Sequence, residues 1–208
     1  CGLCLKVCPA KDFEFKKFNK ILFKDKSFHP SIGYFDSLYA AHASDESIRE
    51  NASSGGIVTA LLVYALEKGF IQGVISTRSD NKKPYSPQIF IARTKEDLLK
   101  AQGSKYCLSP TNSILRKIKD INNQNSKFAL VGLPCQIQNI RRMQAIGLYQ
   151  NLTLLIGLFC GWNMNFKGTE YLLDQVNINK KNVADMKYRF GEWPGGFYVR
   201  DKLGKQYK

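Results

Sequence analysis

Several features are missing from the sequence, and each absence narrows the possibilities. None of its apolar runs approaches the roughly 18–20 residues of a membrane-spanning helix; the longest candidate, Ile57–Leu66, is too short. Acidic residues are scarce, 17 Asp+Glu against 31 Lys+Arg, which leaves a formal charge of +14 over 208 residues. Only two histidines occur, His29 and His42, both in ordinary contexts and far from the clustered cysteines, which leaves little for a Cys/His zinc site. Six cysteines are too few for a small disulfide scaffold. Neither a Walker P-loop nor the G-x-G-x-x-G fingerprint appears, so nothing marks a Rossmann NAD site. There is no internal repeat and no low-complexity tract. The first residue is Cys, not Met, and lies inside a cysteine cluster, while the last residues, Asp201–Lys208, are polar and follow a strand-like run. The chain is therefore expected to be a fragment truncated at both ends, and the lack of a signal peptide carries no information.

What is present suits a folded domain. The apolar share of 44% and aromatic share of 12% support a sizeable core and argue against disorder. Apolar strand-like runs at Gly73–Thr77, Gln88–Arg93, Phe128–Val131, Leu152–Phe159 and Phe197–Arg200 alternate with helical patterns at Ile57–Lys68, Lys95–Gln102, Ser113–Ile121, 134 to about 143 and Thr169–Val176. Tyr34–Ala41 reads as a further strand entering the main domain. This alternation predicts an α/β fold with a partly parallel or mixed sheet flanked by helices. Residues 1–30 read as the end of an iron–sulfur segment and a connector, and residues 31–208 as the main α/β domain.

The most specific local signal is Cys1-Gly-Leu-Cys4-Leu-Lys-Val-Cys8-Pro9. It spells C-x₂-C-x₃-C-P, the last three cysteines of the bacterial ferredoxin run, which predicts an iron–sulfur loop. In two-cluster ferredoxins the last cysteine of such a run serves the other cluster, so Cys8 is open to a different cluster from Cys1 and Cys4. A zinc knuckle would need a second pair, and none lies in reach. Thiolate ligands require a reducing compartment, which predicts a cytoplasmic protein.

Two further cysteines close apolar strands: Cys135 in Ala129-Leu-Val-Gly-Leu-Pro-Cys135-Gln136, and Cys160 in Leu154-Leu-Ile-Gly-Leu-Phe-Cys160-Gly161. Sites in open α/β sheets gather at the carboxyl ends of strands. If the two strands are parallel neighbours, both sulfurs face one crevice. Cys135 also opens a helix, where the dipole favours thiolate. Two buried, inert thiols are the equally simple reading. Cys107 has no such context and no assigned role. Ser53-Ser54-Gly55-Gly56 opens the first long helix, where small residues and unbonded N–H groups suit a phosphate, although a serine cap before a glycine packing contact would look the same.

In order and spacing, these segments resemble the coenzyme F420 hydrogenase/dehydrogenase beta-subunit family. The resemblance runs from Cys1–Pro9 through Ala43-Ser44-Asp45, Ser53–Leu62, Gly103-Ser104-Lys105-Tyr106, Gly132-Leu133-Pro134-Cys135-Gln136 with Arg141, and Gly157–Gly161, to Arg189–Gly196. It implies an oxidoreductase flavoprotein carrying FAD and one or two [4Fe–4S] clusters. Such a subunit passes electrons between F420, or a similar anionic carrier, and a redox partner subunit or acceptor protein. On this resemblance Cys135 and Cys160 join Cys1, Cys4 and Cys8 as cluster ligands. Ser53, Ser54, Gly55 and Gly56 line the flavin or its phosphates, and Lys105 and Arg189 meet anionic cofactor groups. One departure stands out: position 133 is Leu where the family's Gly-Thr-Pro-Cys has Thr, which removes a hydroxyl. The positive charge suits an anionic carrier but steers encounter without naming the partner. Two other classes fit the composition alone: a basic nucleic-acid-binding module, which the scattered lysines and missing recognition motif disfavour, and a flavin-free thiol-redox or interaction protein. No nucleic-acid partner and no membrane span are expected.

Overall fold

The computed structural model describes residues 2–11, 19–20, 22–23, 26–119 and 126–208. The chain divides into two compact units, residues 1–41 and 42–208, so the division lies eleven residues beyond the expected 30/31 boundary. In the first unit a single helical turn, α1 (Leu3–Val7), replaces the expected cysteine-rich loop. A small hairpin, β1 (Ser27–His29) with β2 (Gly33–Phe35), pairs in antiparallel register. The run expected as one strand over Tyr34–Ala41 thus keeps its strand character only to Phe35 and belongs to the first unit.

The second unit holds the α/β fold. A short helix α2 (Glu46–Glu50) precedes α3 (Ile57–Glu67), which ends at Lys68 before Gly69. Next come β3 (Gly73–Ser79), β4 (Pro87–Ala92), α4 (Lys95–Lys100), a 3₁₀ turn (Thr111–Ile114) running into α5 (Leu115–Lys119), β5 (Phe128–Gly132), α6 (Pro134–Ala145) and β6 (Leu152–Gly157). These strands form one sheet in the order β4-β3-β5-β6. β3, β5 and β6 are parallel, and β4 is an antiparallel edge strand. The sheet is therefore mixed, as the sequence predicts.

Burial on both faces explains why the parallel strands read as unbroken apolar runs. Val74 and Ala129 pack with Leu62, Val63 and Ala65 of α3 and Leu98 of α4. Their neighbours Ile75, Phe128 and Leu130 point the other way, into Ile114, Leu115, Ile118 and Ile140. Val74, Ile75, Phe128, Ala129 and Leu130 are all fully buried, and each large side chain among them contributes about 1.5–3 kcal/mol of hydrophobic stabilisation.

The remaining residues build a second layer. Helix α7 (Phe166–Gln175) packs on an antiparallel meander of β7 (Val183–Phe190), β8 (Gly196–Asp201) and β9 (Gln206–Tyr207). Leu173, Val183, Met186 and Val199 form its core. Among the described residues no helix is long and apolar enough to cross a membrane.

Candidate functional site

Cys135 and Cys160 both follow neighbouring parallel strands at the carboxyl edge of the sheet. Gly132 of β5 and Gly157 of β6 are register partners, and the Leu158 N–H donates to the Gly132 carbonyl at 2.9 Å. Each cysteine stands three residues past its glycine. β5 and β6 are thus the parallel neighbours that a shared crevice requires, and neighbouring strands lie only about 4.8 Å apart. Both thiols are free and exposed, unlike inert core cysteines. Cys135 sits in the first turn of α6. The loop carrying Cys160 holds Phe159 wholly exposed and Trp162 84% exposed.

The turn into α6 is locally well determined. Pro134 occupies the first helical position, where its missing N–H costs nothing. Gln136 folds back so that its Oε1 accepts from the Leu133 N–H at 2.9 Å, and its Nε2 donates to Thr111 Oγ1 at 2.7 Å. No side chain caps the start of α6 from position 133, because leucine has no acceptor to offer.

A second assembly forms around the serine–glycine turn. Ser53 Oγ accepts from the Ser104 N–H at 2.7 Å, and Gln102 Nε2 donates to the Ile48 carbonyl at 2.8 Å. The Ala43 N–H donates to the Gly55 carbonyl at 2.7 Å. Asp45 caps α2 by accepting from the Ile48 N–H. The hydrogen bonds of its carboxylate to Ser47 and to the Ile48 N–H, with Lys95 nearby, hold its pKa below the usual range. Two segments that are far apart in sequence, residues 43–56 leading into α3 and residues 94–105, are thereby tied into one platform. Gly56, at the N-cap of α3, has φ +75°. A Cβ there would meet Ile48 Cγ2 and the Ile48 carbonyl oxygen at 3.1 Å and Ala43 Cβ at 3.3 Å. On its side-chain face Gly56 therefore makes room for α2, and space for a phosphate can lie only on the backbone N–H side. α3 has no side-chain cap, so its first-turn N–H groups have no such partner.

A cavity of about 600 Å³ opens beside this platform. Lys105 and Arg189 both line it, together with Ser104, Asp185 and Tyr188. Its cationic lining (Lys100, Lys105, Lys187, Arg189) outnumbers its acidic lining (Glu96, Asp185). Ser53 reaches the lining through Ser104, while Ser54, Gly55 and Gly56 are not part of it. Lys105 is partly buried, with its ammonium turned inward. All three of its donors go to the carbonyls of Ala101, Gln102 and Gly103, at 2.6, 2.9 and 2.9 Å, so it closes the end of α4. Burial pushes its pKa down to about 7. The Arg189 Nε donates to the Pro194 carbonyl at 2.6 Å, which ties the guanidinium to its own hairpin.

The first unit shows less of its expected site. Cys1 lies outside the described residues. Cys4 lies within α1, and Cys8, partly buried, follows that helix in extended conformation. Among the described residues there is no group of three or more His, Cys, Asp or Glu side chains placed to hold a metal ion. Sequence reasoning passed over one buried polar group altogether. Thr169 Oγ1 lies 3.0 Å from Cys107 Sγ and 2.6 Å from the Tyr188 hydroxyl. None of the three residues belongs to a motif, so only their meeting in space reveals them.

A mixed α/β sheet whose loops gather at the carboxyl ends of its parallel strands belongs to the class of open α/β folds that bind ligands at that edge. Comparison with known proteins narrows this. Residues 38–116 match the family description "Coenzyme F420 hydrogenase/dehydrogenase, beta subunit N-term", and residues 125–208 match the companion description for the carboxyl-terminal part of the same beta subunit. The chain belongs to the coenzyme F420 hydrogenase/dehydrogenase beta-subunit family. It is 32% identical to the coenzyme F420 hydrogenase subunit beta of Methanosarcina barkeri over 170 residues, covering 79% of this chain and 58% of that protein. It is 31% identical to the coenzyme F420-dependent sulfite reductase of Methanocaldococcus jannaschii, covering 89% of this chain and 30% of that protein. A chain of the xenon-derivatized F420-reducing [NiFe] hydrogenase complex from Methanosarcina barkeri superposes with a TM-score of 0.69 at 32% identity, over 87% of this chain and 62% of that one. The chain spans about three-fifths of the length of the hydrogenase beta subunits it matches.

Proposed function

We propose that this chain is the cofactor-binding part of an F420-linked redox subunit, which takes electrons from coenzyme F420 or a similar anionic carrier and delivers them to a partner redox protein in the cytoplasm. The observation that carries this reading is that Cys135 and Cys160, two exposed thiols, each follow by three residues one of the paired glycines Gly132 and Gly157 at one sheet edge. Two thiolates are a soft donor set that suits a [4Fe–4S] cluster, which needs further ligands beyond these two. Cys1, Cys4 and Cys8 are the proposed ligands of the ferredoxin-like segment. FAD is assigned to the basic cavity and platform. Its fit rests on the excess of cationic lining, the uncapped start of α3 and the seating of Ser53 against Ser104.

When bound, the flavin supplies the exchange between two-electron hydride chemistry and single electrons, and the clusters carry single electrons onward. The chain's own residues do the rest. Ser53 holds the Ser104 backbone in place, Arg189 brings a fixed guanidinium to the rim, and Lys105 keeps α4 and its following loop closed. Ser54, Gly55 and Gly56 are proposed to meet phosphate oxygens through backbone N–H groups and the Ser54 hydroxyl. Cys135 and Cys160 hold the cluster nearest the sheet. The decisive experiment uses the anaerobically purified full-length protein. Cys135→Ala and Cys160→Ala should each abolish or distort the same cluster EPR signal and halt electron delivery to an acceptor, while flavin content stays unchanged. Unaltered iron, sulfide and EPR signal in both variants would sink the ligand assignment.

A further inference from the structure

Residues 106–111 are tied to both thiol-bearing loops. On the Cys160 side, the Met164 N–H donates to the Tyr106 carbonyl at 2.9 Å, and Cys107 and Met164 form an isolated parallel bridge. On the Cys135 side, Gln136 Nε2 donates to Thr111 Oγ1 at 2.7 Å and to the Ser109 carbonyl at 3.3 Å. The Thr111 hydroxyl donates to that same carbonyl at 3.4 Å. The segment is also fixed between these ends. Cys107 is buried, with its Sγ 3.0 Å from Thr169 Oγ1 of α7, and Ser109 Oγ lies 3.3 Å from Thr77 Oγ1 of β3.

Each tie bears on how a thiol is held. Gln136 directly follows Cys135, and its amide works at both ends: Oε1 accepts from the Leu133 N–H at 2.9 Å while Nε2 grips residues 109–111. The turn over residues 133–136 is thereby clamped to a segment distant in sequence. Gly132 leaves room for this fold-back, since a Cβ there would meet Gln136 Oε1 at 3.2 Å and Gln136 Cβ at 3.3 Å. Gly168 does the same for the other loop, where a Cβ would meet Met164 Cβ at 3.0 Å and Met164 Sδ at 3.2 Å. Metal centres accept their ligands only within a narrow range of positions, and the groups that hold the ligands set that range.

We propose that residues 106–111 are a strap that fixes the two thiol-bearing loops relative to each other, with Gln136 and Thr111 as positioning residues for Cys135 and Met164 as the positioning residue for Cys160. The proposal rests on the reading of Cys135 and Cys160 as ligands of one cluster. It also gives Cys107 a part: its buried thiol seats the strap against α7 and is not a ligand.

The test uses the full-length protein, purified anaerobically with its cofactors. Iron release to a chelator is timed and the cluster EPR signal recorded, both well below the unfolding temperature. Thr111→Val keeps the shape of the side chain and removes only the hydroxyl. It should release iron about tenfold faster, the usual order for losing a group that orients a ligand, and should shift the EPR signal that Cys135→Ala removes. Gln136→Met, of similar length but without the amide, should do the same. Thr111→Ser, which keeps the hydroxyl, should match the wild type in both readings. Gly168→Ala, which presses on Met164, should shift the same signal from the Cys160 side. Val63→Ala thins the core beneath α3 and should leave both readings at their wild-type values; a change there as large as in Thr111→Val would tie the effect to overall stability and overturn the strap. Wild-type release and EPR in folded Thr111→Val and Gln136→Met would also overturn it, and would leave the ligand assignment standing where Cys135→Ala still loses the signal. An unaltered signal in Cys135→Ala overturns the ligand reading and the strap with it.

Discussion

Restoring a hydroxyl at position 133 should stabilise the fold, and the size of the gain can be worked out from the turn into α6. Leu133 is the N-cap residue, with φ −79° and ψ 162°, the extended geometry in which Ser, Thr, Asp or Asn accepts from a first-turn N–H. Half of a reciprocal cap already exists, because Gln136 Oε1 accepts from the Leu133 N–H at 2.9 Å. The side chain at 133 contributes nothing in return. A threonine there would accept from the N–H of Cys135 or Gln136 and complete the capping box. Such caps contribute about 1 kcal/mol. Leu133 is partly buried, so Leu→Thr also loses some apolar contact, and the net change from the native chain is smaller. Comparison with Leu133→Val removes that term, since valine and threonine have the same shape and differ only in the hydroxyl. The expected result is that Leu133→Thr is more stable than Leu133→Val by about 1 kcal/mol, equivalent to about 2–4 °C in Tm for a chain of this size. Thermal and urea unfolding followed by circular dichroism would measure it. A valine variant as stable as the threonine variant would refute the capping argument, because every other term is shared.

Two further predictions concern the platform. Gly56→Ala should destabilise the chain by about 1–2 kcal/mol, because L residues disfavour positive φ and the new methyl would press on Ile48 and Ala43; an unchanged urea midpoint would count against this packing. Lys105 should give the stability a pH dependence of definite sign. Its folded pKa of about 7 lies below the unfolded lysine value, so burial of the charged form penalises the native state fully below pH 7, and the penalty fades as the pH rises from 7 toward the unfolded pKa. The Tm of the wild type relative to Lys105→Met should therefore climb across that window, and a flat difference between the two would show that the three carbonyl bonds outweigh burial.

Most of the sheet is legible in the sequence because the physics that builds it is local. Gly73–Ile75, Phe128–Val131 and Leu152–Ile156 are apolar on both faces, and only a covered parallel sheet accepts such runs. What escaped detection has a different origin. Val183–Phe190, to which no element is assigned from sequence, mixes Lys, Arg and Asp with apolar residues, yet it is the longest described strand because Val183 and Met186 reach the core under α7. Glu46–Glu50 reads as merely polar, but the Asp45 cap and the burial of Ile48 make it a helix. The candidate site divides along the same line. Cys135 and Cys160 can be singled out from sequence because each lies three residues past the end of its strand, so strand adjacency alone puts their loops at one edge. Lys105 and Arg189 could be singled out only by resemblance, since they come from separate elements that meet at the cavity. The Lys105 ammonium shows what sequence cannot: a lysine expected to meet an anion is already held by three carbonyls. To reach a ligand it would have to give up bonds that close α4. On the proposed reading, Lys105 would serve a bound anion through the rigidity of the Gly103–Lys105 loop, whereas Arg189, held among the described residues through Nε–H, would offer its other guanidinium donors.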